Sequence, residues 1–266
     1  MPKDAVNVLP AVASGYLTHF DSHIERTAEE VETITREGSL PRPHWDPTLV
    51  KSRVEKMKLL RHLFDLKLVS ARRRVKSRVG LFFVKKKDGM IRLICDSRVP
   101  NALHQRPPKT RLGGPDSLIE IDLSDETLRD VGGFGEIFSG ELCAGTLDVK
   151  DSFFQYSVKE VASWFGLGER IRAQDWGIET IWDDDAQGMT VVKPDEELEL
   201  VMEAMSMGWT WALYLCNEGT AALAREGDVC SLIRDKECVP TLTPQRPLSA
   251  AYVGNLNTLA ATTAGA

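Results

Sequence analysis

An α+β fold is what this sequence predicts, on three observations. Helix-start signals recur early in the chain, at Ser22 followed by Glu25 and at Asp46-Pro47. The turn dipeptide Asp88-Gly89 stands between two apolar stretches, Val79 to Val84 and Ile91 to Cys95, as a β-hairpin requires. A mostly apolar run from Leu142 to Val149 reads as a buried strand ending at Asp148.

In chain order, the segment from Val6 to Ala13 is broken by Asn7 and Pro10 and is expected to be a mobile N-terminus rather than a signal peptide. Ser22 and Glu25 form a capping box and Gly38 a stop, so residues from about 23 to 36 are expected to be helical, within an N-terminal extension running over 1–44. Asp46 caps a second helix with Pro47 in its first turn, and Val50, Val54, Met57 and Phe64 fall near one face. The hairpin carries Lys85, Lys86 and Lys87 at its tip. Pro107-Pro108 and Gly113-Gly114-Pro115 mark an irregular crossing. Gly132, Gly133 and Gly135 invite a phosphate-loop reading, but no Lys-Ser or Lys-Thr follows, which favours a plain loop. Asp175 to Glu199 is acidic and reads as an exposed, irregular insertion; Trp211 to Arg225 reads as a helix, and Thr258 to Ala266 as a frayed end.

At 266 residues with 42% hydrophobic content the chain can bury a core, and no apolar run approaches the roughly 20 residues of a membrane helix. Five cysteines, Cys95, Cys143, Cys216, Cys230 and Cys238, form no close pair, which suits buried thiols in a reduced, intracellular setting. The net charge of −6 is unevenly spread: Lys51 to Arg98 holds 16 Lys or Arg against 4 Asp or Glu, a balance of +12 that leaves −18 for the remainder. Such a segment fits a phosphate-binding surface. A solvated helix face explains Lys51 to Lys58 well, but explains the Arg72-Arg73-Arg74 and Lys85-Lys86-Lys87 clusters less well.

Four motifs carry chemistry. They are FFVKKKDGMIRLICDSR (Phe82 to Arg98), GTLDVKDSFFQYSV (Gly145 to Val158), MSMGWTWALYL (Met205 to Leu215) and AYVGNLN (Ala251 to Asn257). Alone, the first three have a plain reading: a basic hairpin tip, an Asp148 that caps a following helix ahead of a core Phe153-Phe154, and a glycine before a Trp-rich packing helix. In this order they resemble the fingers and palm of a reverse transcriptase, over about two-thirds of the chain. The resemblance implies a right-hand α+β polymerase fold with an antiparallel palm sheet, fingers over 45–140, a partial palm over 141–260 and a disordered tail over 261–266. The chain stops soon after the fourth motif, so the primer grip and thumb are expected to be absent.

Roles follow from the same resemblance. Asp148, with the Val149 carbonyl, would hold two magnesium ions; Lys86 and Arg92 would grip the triphosphate, and Phe153 would exclude a ribose 2′-hydroxyl. Asp96, Arg98 and Asn101 would shape the template and nucleotide pocket, and Gly208-Trp209 would lie beneath the nucleotide. The family's Pro after the Gly-Trp pair is absent here. Tyr252-Val253-Gly254-Asn255 stands where the family has Tyr-x-Asp-Asp, so Gly254 and Asn255 replace two metal-binding carboxylates. The implied activity is RNA-directed DNA synthesis from deoxynucleoside triphosphates on an RNA or DNA template–primer, by a retroelement-derived protein, impaired in this chain. The rival readings are a non-catalytic nucleic-acid-binding module and a truncated relic without a stable fold.

Overall fold

Capping and turn chemistry explain most elements of the computed structural model, which describes residues 1–38, 40–87, 89–124, 141–226, 230–243 and 246–262. Strand β1 (Lys3–Asp4) leads into α1 (Ala5–Val8), capped by Asp4 accepting from the Val6 amide at 3.1 Å. Helices α2 (Ala11–Thr18) and α3 (Phe20–His23) follow and bury Ala13, Leu17 and Phe20. The N-terminus expected to be mobile is therefore helical and anchored by its apolar residues. Helix α4 (Ala28–Arg36) starts at Thr27, with Glu30 completing the capping box, and Gly38 closes it at φ +66°. The box is not Ser22 with Glu25, because Ser22 lies inside α3 while Thr27 has the extended backbone a cap needs.

Helix α5 (Pro47–Lys51) begins under Asp46 as expected, but the backbone turns extended at Ser52, which caps a separate helix α6 (Arg53–Asp65). That break changes the buried face. Leu49, Leu60 and Leu63 are buried, whereas Val50 and Val54, expected on the apolar side, are 69% and 64% exposed. After β2 (Val69–Arg72), strands β3 (Gly80–Lys85) and β4 (Ile91–Asp96) form the anticipated antiparallel hairpin, with Gly89 at φ +82°. Asp88 and the glycines at 132, 133 and 135 lie outside the described residues.

Helices α7 (Arg98–Leu103) and α8 (Pro115–Leu118) precede β5 (Glu141–Asp148). Short 3₁₀ turns then alternate with β6 (Tyr156–Ser157) and β7 (Gly166–Arg172). Strands β8 (Thr180–Asp183) and β9 (Gly188–Val191) form a hairpin ahead of β10 (Glu197–Met202). The acidic stretch expected to be irregular is thus ordered. Asp183 closes the hairpin by accepting from the Asp185 and Ala186 amides, both at 3.0 Å, and Leu198, Leu200 and Val201 are fully buried. Helix α9 (Thr210–Glu226) matches its expected span, and β11 (Ser231–Ile233), β12 (Leu248–Tyr252) and β13 (Asn255–Thr262) complete the chain.

Two compact units result, one from residues 1–107 and 153–212, the other from 108–152 and 213–266. The contiguous partition at 140/141 does not coincide with them, because residues after 152 supply β7 and β10 to the sheet β2-β10-β7 of the first unit. Its central strand β10 is almost continuously buried, as a strand covered on both faces must be. The second unit holds the sheet β11-β12-β13-β5 over a core of Ile233, Leu242, Leu248, Ala250 and Ala261. Its β11–β12 pair is parallel and the other two are antiparallel, so the antiparallel sheet expected here is mixed. Strand β5 is exposed rather than buried, with Leu142 at 43% and Leu147 at 68%, because it is the outer strand. Residues expected to fray from Thr258 onward are instead paired within β13, on both sides as far as Leu259 and with β5 alone up to Thr262. Cys95 and Cys216 are buried as expected, whereas Cys143 and Cys238 are exposed. No described helix is long and apolar enough to cross a membrane.

Candidate functional site

In the second unit, the β5–β13 register sets Asp148 directly opposite Asn255. Opposed residues of an antiparallel pair point to the same face, so the carboxylate and the amide share one end of one sheet. The Val149 amide donates to the Gly254 carbonyl at 2.8 Å, which ties the LDVKD segment to the β12–β13 turn. Asp148 is exposed, and Asp151 beyond it takes φ +52°.

The turn itself has an uncommon backbone. Val253, not Gly254, takes positive φ (+56°), a conformation that a β-branched residue rarely adopts. Helix α9 holds it there. The Val253 amide donates to Asn217 Oδ1 at 2.9 Å, and the Thr220 hydroxyl donates to the Val253 carbonyl. Asn217 and Thr220 are 1% and 3% exposed, so both polar groups of the turn residue are met by buried side chains. Neither was singled out from the sequence; their signal was a polar pair at i, i+3 within an apolar helix.

In the first unit, β4, α7 and the Gly208-Trp209 turn converge. Asp96 accepts from Arg98 Nε (2.8 Å) and Nη2 (2.7 Å) and from the His44 amide (2.6 Å). The Arg98 hydrogen bonds are the main reason its carboxyl lies below the usual range. Asn101 grips the turn from both ends: its Nδ2 donates to the Gly208 carbonyl at 2.8 Å and its Oδ1 accepts from the Thr210 amide at 2.9 Å. Gly208 adopts φ +131°, and a Cβ there would be driven into the Cys95 carbonyl oxygen. Its glycine is thus required by the end of β4.

Trp209 is a packing residue. It is 2% exposed, and its indole N–H donates to His104 Nδ1 at 3.0 Å. That bond leaves the His104 proton on Nε2, which meets no hydrogen-bond acceptor among the described residues, while the ring packs T-shaped against Trp164 (centroids 4.7 Å apart) and Phe20 (5.0 Å). Burial, then the Lys76 and Arg26 charges, push the His104 imidazole down to about 3, so it is neutral. His104 is a site-supporting residue that sequence reasoning missed, since a lone histidine carries no motif.

The cations divide into two groups. Arg72 is 2% exposed, and Arg73 bonds Asp183 and Glu196 (both 2.7 Å), Thr190 and the Val191 carbonyl. Of the arginine cluster expected to meet phosphate, Arg72 is therefore buried, Arg73 is partly exposed but committed to acidic partners, and Arg74 is exposed. Arg78 is committed to Glu199 (2.8 Å), and Arg53 and Lys56 to Glu169. Among the described residues, Lys85, Lys86, Lys87 and Arg92 enter no ion pair. The period-two register places Lys86, bonded through its amide to the Met90 carbonyl (2.7 Å), on the same hairpin face as Arg92. Phe153, in the turn after the LDVKD segment, is half-buried.

No family model matches this sequence, and no curated protein does. Solved structures give distant likenesses. The selenomethionine-labelled CSH mutant of prototype foamy virus protease-reverse transcriptase matches at a TM-score of 0.38 and 13% identity, over 82% of this chain and 21% of that one. The foamy viral protease-reverse transcriptase in complex with an RNA/DNA hybrid matches at 0.40 and 11%, over 94% and 29%. The dRH form in complex with double-stranded DNA matches at 0.37 and 14%, over 97% and 39%. The chain thus spans between about a fifth and two-fifths of the length of these structures.

Proposed function

We propose that this chain is a reverse-transcriptase-like domain of retroelement origin that binds template–primer nucleic acid and has lost most of its capacity for nucleotidyl transfer. One observation carries the reading: Asp148 and Asn255, from motifs far apart in sequence, are cross-strand partners, with Gly254 bonded to Val149 beside them. That is the convergence a shared metal centre demands, at the motif positions where the resemblance places it.

Template-directed nucleotide addition is an in-line attack of a 3′-hydroxyl on an α-phosphate, and two divalent ions about 4 Å apart stabilise the attacking and leaving oxygens. Carboxylates from different strands must hold both ions. Position 254 offers no side chain and position 255 a neutral amide, which leaves Asp148. Among the described residues, no group of three or more His, Cys, Asp or Glu is placed to hold a metal. This donor set does not fit a two-magnesium centre. Losing about 4 kcal/mol of charge stabilisation corresponds to roughly a thousandfold in rate.

The residues present still suit nucleic-acid binding. Lys86 supplies a mobile point charge and Arg92 a planar fork on one hairpin face, both suited to phosphate oxygens. In primer extension on RNA and DNA templates with magnesium and deoxynucleoside triphosphates, product is expected at the background level of Asp148→Asn. Robust extension that Asp148→Asn abolishes would overturn the impairment. Binding to the same template–primer is expected at low salt, weakening as salt rises, unchanged by chelator or by Asp148→Asn, and reduced in Lys86→Ala/Arg92→Ala. No binding at low salt rejects the proposal.

A further inference from the structure

We infer that Ser152 and Gly254 are an interlocked pair, and that Ser152 is the side chain that bars a carboxylate from position 254. A Cβ added at Gly254 would lie 2.5 Å from Ser152 Oγ and 2.7 Å from Ser152 Cβ, with the Val149 carbonyl oxygen at 3.5 Å. The hydroxyl can rotate away from the first contact. The second cannot be relieved without moving backbone. Gly254 is not among the residues of positive φ, so space rather than conformation excludes a side chain there.

Neither partner is free to retreat. Ser152 is 8% exposed, enclosed in the short 3₁₀ turn that follows the LDVKD segment. The turn at Val253-Gly254 is held to helix α9 through Asn217 and Thr220, and its Gly254 carbonyl is fixed by the Val149 amide. Helix α9 therefore fixes the Val253-Gly254 turn beside a buried Ser152. Replacing Gly254 and Asn255 by aspartates does not by itself rebuild a metal site, because the first carboxylate must also displace Ser152. What a carboxylate at 254 would do rests on the function proposed above; the interlock rests on the geometry alone.

A double-mutant cycle tests it. Gly254→Ala is expected to lower Tm by about 5 °C in the natural background and by about 1 °C or less when Ser152→Gly is also present. Equal falls in the two backgrounds overturn the interlock. If Gly254→Ala yields no cooperative transition, recovery of one in Ser152→Gly/Gly254→Ala supports the interlock and failure to recover it overturns it. A second arm measures manganese binding from the free-ion electron paramagnetic resonance signal. Ser152→Gly/Gly254→Asp/Asn255→Asp is expected to bind at least about tenfold more tightly than Gly254→Asp/Asn255→Asp. A coupled cycle without manganese binding keeps the interlock and removes the metal-site reading of the turn. An additive cycle with equal binding by both variants does the reverse.

Discussion

Gly208 and Gly254 stand in motifs of the same resemblance, yet they are glycines for different reasons. Gly208 combines φ +131° with a Cβ direction blocked by the Cys95 carbonyl, whereas Gly254 lacks only room. Gly89, at φ +82° with nothing within 4 Å, supplies a control for conformation alone. Gly208→Ala is expected to cost about 3 kcal/mol and Gly89→Ala about 1 kcal/mol, read from urea unfolding. Equal costs would mean that the close approach to Cys95 contributes nothing. The positions of Asp148, Gly208 and Gly254 were legible in the sequence because short motifs fix them. What touches them was not: Ser152 against Gly254, and His104 under Trp209, meet only once separate elements pack.

Whole elements were legible where local chemistry specified them. Asp88-Gly89 announced the β3–β4 hairpin, Asp46-Pro47 announced α5, and an Ala-rich apolar stretch announced α9. The β8–β9 hairpin was hidden because its strands are short and its loop is acidic, so it read as solvated chain. Arg73 is what makes it an element of the fold: one guanidinium joins Asp183 and Thr190 on the two strands to Glu196 before β10. Each bond is charge-assisted, but the side chain is partly exposed, so the combined contribution is modest. Arg73→Ala is expected to destabilise by about 1–2 kcal/mol, with amide exchange accelerated first in residues 180–191. Arg74→Ala, at the exposed neighbour, is expected to leave both unchanged. Uniform acceleration across the first unit in Arg73→Ala would show that the hairpin is not held locally.

At the scale of the molecule, two buried groups pull the pH dependence of stability in opposite directions. The His104 imidazole titrates at about 3 when folded against 6.5 when free, so the unfolded chain binds a proton that the native state refuses, and stability is lost as pH falls from 6.5 towards 3. Burial raises the Glu160 carboxyl from 4.5 to about 6, so there the native state holds the extra proton, and stability is gained as pH falls from 6 to 4.5. Over that window Glu160 offsets about two-thirds of the His104 loss. Below it His104 acts without that offset, and Asp96, whose carboxyl Arg98 holds below its ordinary range, adds a loss of the same sign. Urea-derived stability is therefore expected to fall gently between pH 6 and 4.5 and more steeply at lower pH. In Glu160→Gln the offset disappears, and stability is expected to decline through that window by up to about 1.4 kcal/mol per pH unit. Parallel curves for the natural protein and Glu160→Gln across pH 6 to 4.5 would show that Glu160 is ionised when folded, contrary to its burial beside Asp4 and Lys159.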